Sequence, residues 1–117
     1  MSPRAARAAV APETLGLTAG VFAALGDRTR LRLVARLCAG GPASIVELAA
    51  GQPVSRQAVT KHLQVLARAG VARSRRRGRE RVWRIEPRRL DDCRHWLARL
   101  SSQWDEGLGR LKAMVEE

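Results

Sequence analysis

The chain has 117 residues, a formal net charge of +11, two cysteines and four aromatic side chains. Its length predicts a single small domain, whose core a partner chain would help to complete. It contains no run of about 18 apolar residues, so we expect no transmembrane helix. The first residues lack the apolar stretch of a secretory signal. Together with the low cysteine content, these features predict a cytoplasmic protein with reduced thiols.

The N-terminal third predicts a tail followed by two helices. Residues 1–13 show no usable period, so we expect a flexible tail and a folded domain over residues 14–117. The first helix is then predicted by apolar residues at helical spacing, Leu17, Val21, Phe22 and Leu25. Asp27 is a suitable N-cap for a second helix. The predicted inward face of that helix consists of Leu31, Val34, Leu37 and Cys38.

Two short helices joined by a tight turn follow. Ser44 and Glu47 form a capping box that opens a third helix, which ends by Gly51. Ser55 caps a fourth helix, and its inward stripe contains Val59, His62, Leu63 and Leu66. This spacing within residues 44–66 predicts a helix-turn-helix, whose second helix enters the major groove of DNA.

The outward face of the fourth helix predicts contacts with DNA. Arg56 suits bidentate hydrogen bonding to guanine, and Gln57 suits pairing with adenine. Ser55, Thr60 and Lys61 suit phosphate or a thymine methyl group. The predicted DNA-binding residues of the two helices are Ser44, Ser55, Arg56, Gln57, Thr60, Lys61 and Gln64.

An arginine-rich hairpin comes directly after these helices. Trp83 and Ile85 alternate with polar residues, and Gly78 stands at the predicted tip, where a positive φ is needed. Between Arg68 and Arg89, ten arginines stand against two acidic residues, and this density of like charge favours an anionic partner. A pair of helices with this spacing often has only a structural role, but the basic hairpin that follows it indicates a DNA-binding role. The predicted contacts are Arg76, Arg77 and Arg79 at the tip, with Arg75 and Arg81 along the flank.

The last segment predicts a helix of about 30 residues that forms a homodimer. After Pro87, apolar residues recur at spacings of three and four, close to a coiled-coil seam. They are Leu90, Cys93, Leu97, Leu100, Trp104, Leu108, Leu111 and Val115. A small domain does not need so long a stripe for its own core, although a helix folded back on that core is the alternative. The predicted interface consists of Leu17, Val21, Leu90, Trp96, Leu97, Leu100, Trp104, Leu108 and Leu111.

No catalytic constellation is apparent in the sequence. The chain has no phosphate-binding glycine loop and no nucleophile spaced to a base, so we expect neither an enzyme nor a cofactor. Asp91, Asp92, Cys93 and His95 admit a metal site as one interpretation. A tetrahedral site needs more His or Cys than lie nearby, and carboxylates in a first turn suit the helix dipole. We therefore expect no bound metal.

From about Val21 to Glu117, the chain resembles the ArsR/SmtB family of bacterial winged-helix regulators. The resemblance rests on VFAALGDRTRLRLVARL, IVELA, VSRQAVTKHLQVLARAGVARSRRRGRERVWRI and the W-x-x-x-L pattern of Trp104 and Leu108. It implies a mainly α fold with a small β-hairpin, in the order α-α-α-α-β-β-α, that dimerises through the first and last helices. It also implies a repressor of its own or adjacent genes that binds double-stranded DNA at a pseudo-palindromic operator.

The resemblance implies release by metal, oxidation or another signal, but the sensor sites depart from the family pattern. Metal-sensing members carry a cysteine pair around the third helix, where this chain has SIVELAAGQPVS, and His95 has no second histidine downstream. Redox-sensing members pair cysteines of the second and last helices, which here hold Cys38 and Cys93 at shifted positions. The alternatives are a thiol-redox or metal-responsive sensor of the same fold, and a basic RNA-associated protein.

Overall fold

The computed structural model describes residues 12–116, with side chains from residue 13 onward. The elements in chain order are α1 (Pro12–Leu25), α2 (Arg28–Gly40), β1 (Ala43–Ser44), α3 (Ile45–Ala50), α4 (Arg56–Arg68), β2 (Ala72–Arg77), β3 (Glu80–Ile85) and α5 (Pro87–Glu116). The predicted order is confirmed, with the short β1 as an addition. The proposed tail of residues 1–13 lies almost wholly outside the described residues, and α1 already includes Pro12 and Glu13.

The helices begin where the sequence offers caps. The side chain of Asp27 accepts a hydrogen bond from the Arg30 amide at 3.0 Å. Ser44 and Glu47 make the reciprocal bonds of a capping box before α3, and Ser55 accepts from the Ala58 amide before α4. Each cap satisfies amides that have no partner inside the helix, which contributes about 1 kcal/mol per helix. These caps fix the start of both helices of the helix-turn-helix.

One hydrophobic core joins the helices to the sheet. The inward stripe of α4 supplies Val59, Leu63 and Leu66, all fully buried. They pack in one cluster with Val21 of α1, Leu33 and Leu37 of α2, Leu48 of α3, Val71 and Trp83. His62 is only half-buried, at the edge of this stripe. The core therefore fixes how α4 is rotated about its own axis.

The predicted inward face of α2 is wrong in part. Leu37 is buried as expected and Val34 is half-buried, but Leu31 and Cys38 are exposed, and Leu33 is fully buried instead. The segment carries two overlapping apolar stripes, and both have helical spacing. The core takes the stripe of Leu33 and Leu37, which are separated by one turn.

A three-stranded antiparallel sheet carries the hairpin, with β3 between β1 and β2. Trp83 of β3 lies opposite Ala43 of β1 and Ser74 of β2. At the tip, Gly78 has a φ of 64°, as expected for the first residue of a two-residue hairpin loop. Because Trp83 is buried, the base of the hairpin is anchored to the core while its tip extends into solvent.

The described residues span 66 × 32 × 20 Å, because α5 projects beyond the other elements. None of the helices between residues 12 and 116 is long and apolar enough to cross a membrane.

Trp83 generates the first prediction. Its indole N–H has no hydrogen-bond partner among residues 12–116, so its contribution to stability comes from apolar contact. We expect Trp83→Ala to lower the free energy of unfolding by about 3–5 kcal/mol. Trp83→Phe keeps a ring in the same place and leaves a smaller cavity, so it is expected to cost less than Trp83→Ala. Denaturant unfolding followed by far-ultraviolet circular dichroism measures both, and equal losses would contradict this account.

Candidate nucleic-acid interface

The outward face of α4 presents the predicted polar side chains to solvent. Arg56, Gln57, Lys61 and Gln64 are exposed. Gln57, Lys61 and Gln64 line one shallow depression together with Thr60. Neither Arg56 nor Lys61 forms an ion pair within the described residues. The structure thus brings these five residues together on one surface, with hydrogen-bonding groups and unneutralised charge available to a partner.

Two hydroxyl groups at the start of α4 are engaged locally. The Ser55 hydroxyl accepts from the Ala58 amide at 3.1 Å, and it stays exposed and free to donate. The Thr60 hydroxyl donates to the Arg56 carbonyl at 2.9 Å. The first amides of α4 and the helix dipole add partial positive charge at this end. The N-terminal end of α4 is therefore well suited to a phosphate group.

Ser44 lies apart from the α4 face, in a depression at the start of α3 that it lines together with Arg79 and Arg81 of the hairpin. Its side chain is only 5% exposed. Its hydroxyl donates to Glu47 at 3.0 Å and accepts from the Glu47 amide at 3.3 Å. The bonds from Ser44 also hold the pKa of the Glu47 carboxyl below its ordinary value. The hydroxyl caps α3 and thereby positions the first helix of the pair. A contact between Ser44 and DNA stays a prediction.

The hairpin has two faces of different character. Arg75 and Arg77 of β2 share the outward face with Val82 and Arg84 of β3, where they line a depression beside Pro42. Arg84 was not among the predicted contacts. The two-residue period of a strand already predicts that Arg84 shares a face with Val82 and points away from Trp83, and the strand register agrees with that placement.

The hairpin of β2 and β3 is called the wing below. Its other face and its tip hold the remaining arginines that the sequence predicts to contact DNA. Arg76 and Arg81 are opposite each other in register, and Arg81 donates to the Ser74 hydroxyl at 2.8 Å. Arg79 lies in the two-residue loop and, with Arg81, lines a depression at the start of α3 near Ile45. The tip of the hairpin therefore lies beside the first helix of the helix-turn-helix.

Most of the hairpin's charge is unneutralised. At its base, Arg73 pairs with Glu86 at 3.2 Å. Within residues 12–116, the five predicted wing arginines and Glu80 form no ion pair. Exposed cations that repel one another at this density are stabilised by an anionic ligand. A polar helix face beside a cationic hairpin is the arrangement of a winged helix-turn-helix on DNA.

Comparison with known proteins agrees with this geometry. A family model described as a helix-turn-helix domain matches residues 25–75. The HTH-type transcriptional regulator Rv2034 of Mycobacterium tuberculosis is 42% identical over 88 residues, which cover 75% of this chain and 81% of the relative. The chain belongs to the helix-turn-helix transcriptional regulators.

Solved structures place the ArsR fold over most of the chain. An ArsR-like transcriptional regulator from Rhodococcus sp. RHA1 superposes with a TM-score of 0.75 at 36% identity, over 87% of this chain and 95% of the other. The homodimeric winged helix-turn-helix DNA-binding domain of Mb0332 from Mycobacterium bovis superposes with a TM-score of 0.60 at 25% identity, over 94% and 93%. The second match includes the helix pair, the wing and much of α5. The chain belongs to the ArsR family of transcriptional regulators.

The chain also carries a long apolar surface on α5. No residue of α5 after Trp96 is buried, and Trp104 is 67% exposed. Leu97, Leu100 and Trp104 line an open groove along the helix. The predicted interface residues with exposed side chains are Leu17, Leu97, Leu100, Trp104, Leu108 and Leu111. Contiguous apolar surface of this kind is typical of a protein–protein interface.

Three other predicted interface residues contribute inside the protomer. Val21 is fully buried in the core, so its side chain has no surface for a partner, and its predicted interface role is corrected. Leu90 is half-buried against the same core. Trp96 is half-buried and meets Phe22 edge to face, with ring centroids 5.8 Å apart. These contacts hold α1 and α5 together within one chain.

The proposed sensor residues occupy different environments. Cys38 is exposed on α2, whereas Cys93 is buried in the core. Asp91 pairs with Arg94, and Asp92 pairs with Arg89. Among residues 12–116, no three His, Cys, Asp or Glu side chains lie close enough to hold a metal ion. The carboxylates at the start of α5 are therefore engaged with arginines of their own helix.

The two thiols generate the second prediction. Burial, together with the Asp92 charge, raises the pKa of Cys93, which disfavours the reactive thiolate. We expect native Cys93 to react with iodoacetamide at least about tenfold more slowly than Cys38, and its labelling to begin at a higher pH. Mass spectrometry of timed reactions, with Cys38→Ser and Cys93→Ser as single-thiol controls, measures each rate. Equal rates would contradict the buried position of Cys93 and favour a thiol sensor.

Proposed function

We propose that this ArsR-family regulator acts in the cytoplasm as a homodimeric repressor of its own or adjacent genes. It binds a pseudo-palindromic operator, with the α4 helices of two protomers in successive major grooves about 10 bp apart. The observation that carries this proposal is the exposed polar face of α4 beside a hairpin whose tip arginines lack ion-pair partners among the described residues. A dimer bound to a promoter can repress transcription simply by occupying the DNA, so the proposal requires no activity beyond DNA binding.

The proposal assigns different tasks to the residues of the surface. Arg56 and Gln57 stand in the first turn of α4, where side chains of a recognition helix meet base edges. They read guanine and adenine respectively. Ser55, Thr60, Lys61 and Gln64 contact phosphate or neighbouring bases. The wing arginines grip the flanking backbone and minor groove, which contributes affinity that falls with salt.

Dimerisation follows from the apolar surface of α5. Burying the exposed side chains along this helix against a second copy removes them from water at about 25 cal/mol per Å². The homodimeric Mb0332 domain, which this chain resembles over 94% of its length, supports the same state. A homodimer places two α4 helices and two wings on one side of the DNA, which a pseudo-palindromic operator matches.

Base readout by Arg56 is the third prediction. Arg56→Ala is expected to weaken binding to an operator obtained by in vitro selection by about 1–3 kcal/mol, with a smaller loss on random duplex. Fluorescence anisotropy with both duplexes at fixed salt measures the two losses. The matched control is Arg68→Ala, since Arg68 is exposed at the far end of the same helix.

The comparison between the two duplexes decides the role of Arg56. Loss of specific affinity alone supports base readout. Equal weakening on operator and random duplex would make Arg56 a phosphate contact. A loss as large for Arg68→Ala as for Arg56→Ala would mean that net charge, and no particular position, governs binding. Tighter binding to an RNA hairpin than to the selected operator would favour an RNA-associated protein.

Dimerisation through α5 is the fourth prediction. Leu100 is 46% exposed in the groove, so Leu100→Asp leaves the protomer core intact and places a charge in the proposed interface. We expect a monomer at micromolar concentration in sedimentation velocity, with operator affinity at least about tenfold weaker. The control is Leu31→Asp, because Leu31 is 51% exposed on α2 away from the groove. A Leu100→Asp variant that stays dimeric would place the interface elsewhere.

A further inference from the structure

A polar cluster behind the recognition surface joins three helices. We call Ala24, Asp27, Arg30 and His62 the junction cluster. The Arg30 Nε donates to the Ala24 carbonyl in the last turn of α1. Its Nη1 lies 3.3 Å from the Nδ1 of His62 on α4. One guanidinium therefore connects α1, α2 and the recognition helix.

The chemistry of Arg30 fixes the state of the His62 ring. A guanidinium only donates hydrogen bonds, so Nδ1 of His62 accepts and the ring proton stands on Nε2. The Asp27 carboxylate lies 3.8 Å from the same Nδ1, which is too long for a hydrogen bond. A proton on Nε2 thus leaves Nδ1 available to accept the hydrogen bond from Arg30.

Asp27 balances the charge of this cluster. Its carboxylate accepts from the Arg30 amide at 3.0 Å, and this bond holds the pKa of Asp27 below its ordinary value. Asp27, Arg30 and His62 are all half-buried. The carboxylate therefore remains charged beside the Arg30 guanidinium while it also caps α2.

The junction cluster supplies a directional contact to α4, which the apolar core beneath it does not. Val59 and Leu63 set which face of α4 is buried, but apolar contacts are non-directional. The Arg30–His62 contact is directional and fixes one point of α4 to the end of α1. In turn, α1 packs on α5 through Phe22 and Trp96. The recognition helix is thus connected to the helix pair that carries the proposed dimer surface.

We infer that Arg30, whose side chain bonds to the Ala24 carbonyl and contacts His62, is a positioning residue that sets where α4 stands relative to the dimer surface. In the homodimer this determines the spacing of operator half-sites that both α4 helices can enter at once. The inference rests on the proposed function. One added base pair shifts a half-site by about 3.4 Å and rotates it by about 35°, so a rigid connection rejects such operators and a loose one accepts them.

The test compares operators that differ only in half-site spacing. The full-length protein is titrated by anisotropy against its selected operator and against versions lengthened or shortened by one base pair. We expect the wild type to prefer the selected spacing by about tenfold or more. Arg30→Met keeps the stem of the side chain and loses the fork, and it is expected to reduce this preference to less than about threefold.

Matched variants separate positioning from charge and from folding. Arg32→Met removes the same charge from an exposed position on α2 and is expected to keep the wild-type preference. His62→Leu is expected to behave like Arg30→Met. His62→Asn places an amide oxygen near the position of Nδ1 and is expected to restore the preference. ¹⁵N chemical shifts of the wild-type His62 ring report the tautomer directly, even if a variant does not fold.

Each outcome has one consequence. Unchanged spacing preference in Arg30→Met and His62→Leu would overturn the inference, as would a wild-type His62 ring with its proton on Nδ1. A His62→Asn variant as permissive as His62→Leu would also overturn it. A wild-type protein that is monomeric or indifferent to half-site spacing would instead overturn the proposed function, and the inference with it.

Discussion

Burial of the apolar stripe of α4 is the constraint on which the rest of the surface depends. Val59, Leu63 and Leu66 are completely withdrawn from water, and moving any of them to the surface would cost roughly 1.5–3 kcal/mol. Because a helix has 3.6 residues per turn, fixing these three also fixes the outward direction of the positions between them. Arg56, Gln57 and the side chains that follow them are thereby presented together. The same core that folds the domain thus determines which face of α4 is available for the proposed contacts with DNA.

The wing, in contrast to α4, has few apolar residues to bury, and its arginines repel one another. The buried Trp83 of β3, the strand that lies between β1 and β2, anchors the base of the hairpin to the core. Arg73 and Glu86 neutralise each other there at 3.2 Å, while the tip keeps its positive charge. The hairpin thus combines a base held by apolar packing with a tip whose charge favours a polyanion.

Much of this arrangement could be predicted from the sequence, because local signals determine it. The caps at Asp27, Ser44 and Ser55 and the change of period at the hairpin gave the element order. The two-residue β1 carries no periodic signal and was missed. In α2, two apolar stripes compete, and only the three-dimensional core decides between them. The same holds for Ser44 and Val21, whose burial is set by distant neighbours. The spacing of operator half-sites and the position of the second protomer could not be predicted, because both depend on contacts between chains.

Hydroxyl-radical footprinting of the wild-type protein on its selected operator reports which backbone sugars the protein covers, and so tests whether a dimer holds the DNA with both α4 and the wing. We expect two-fold symmetric protection, with two blocks centred about 10 bp apart for the α4 helices. Further protected sugars beyond each block would mark the wings. A single unsymmetrical block, or symmetric blocks without the outer protection, would contradict a dimer that holds DNA with both the helix and the wing.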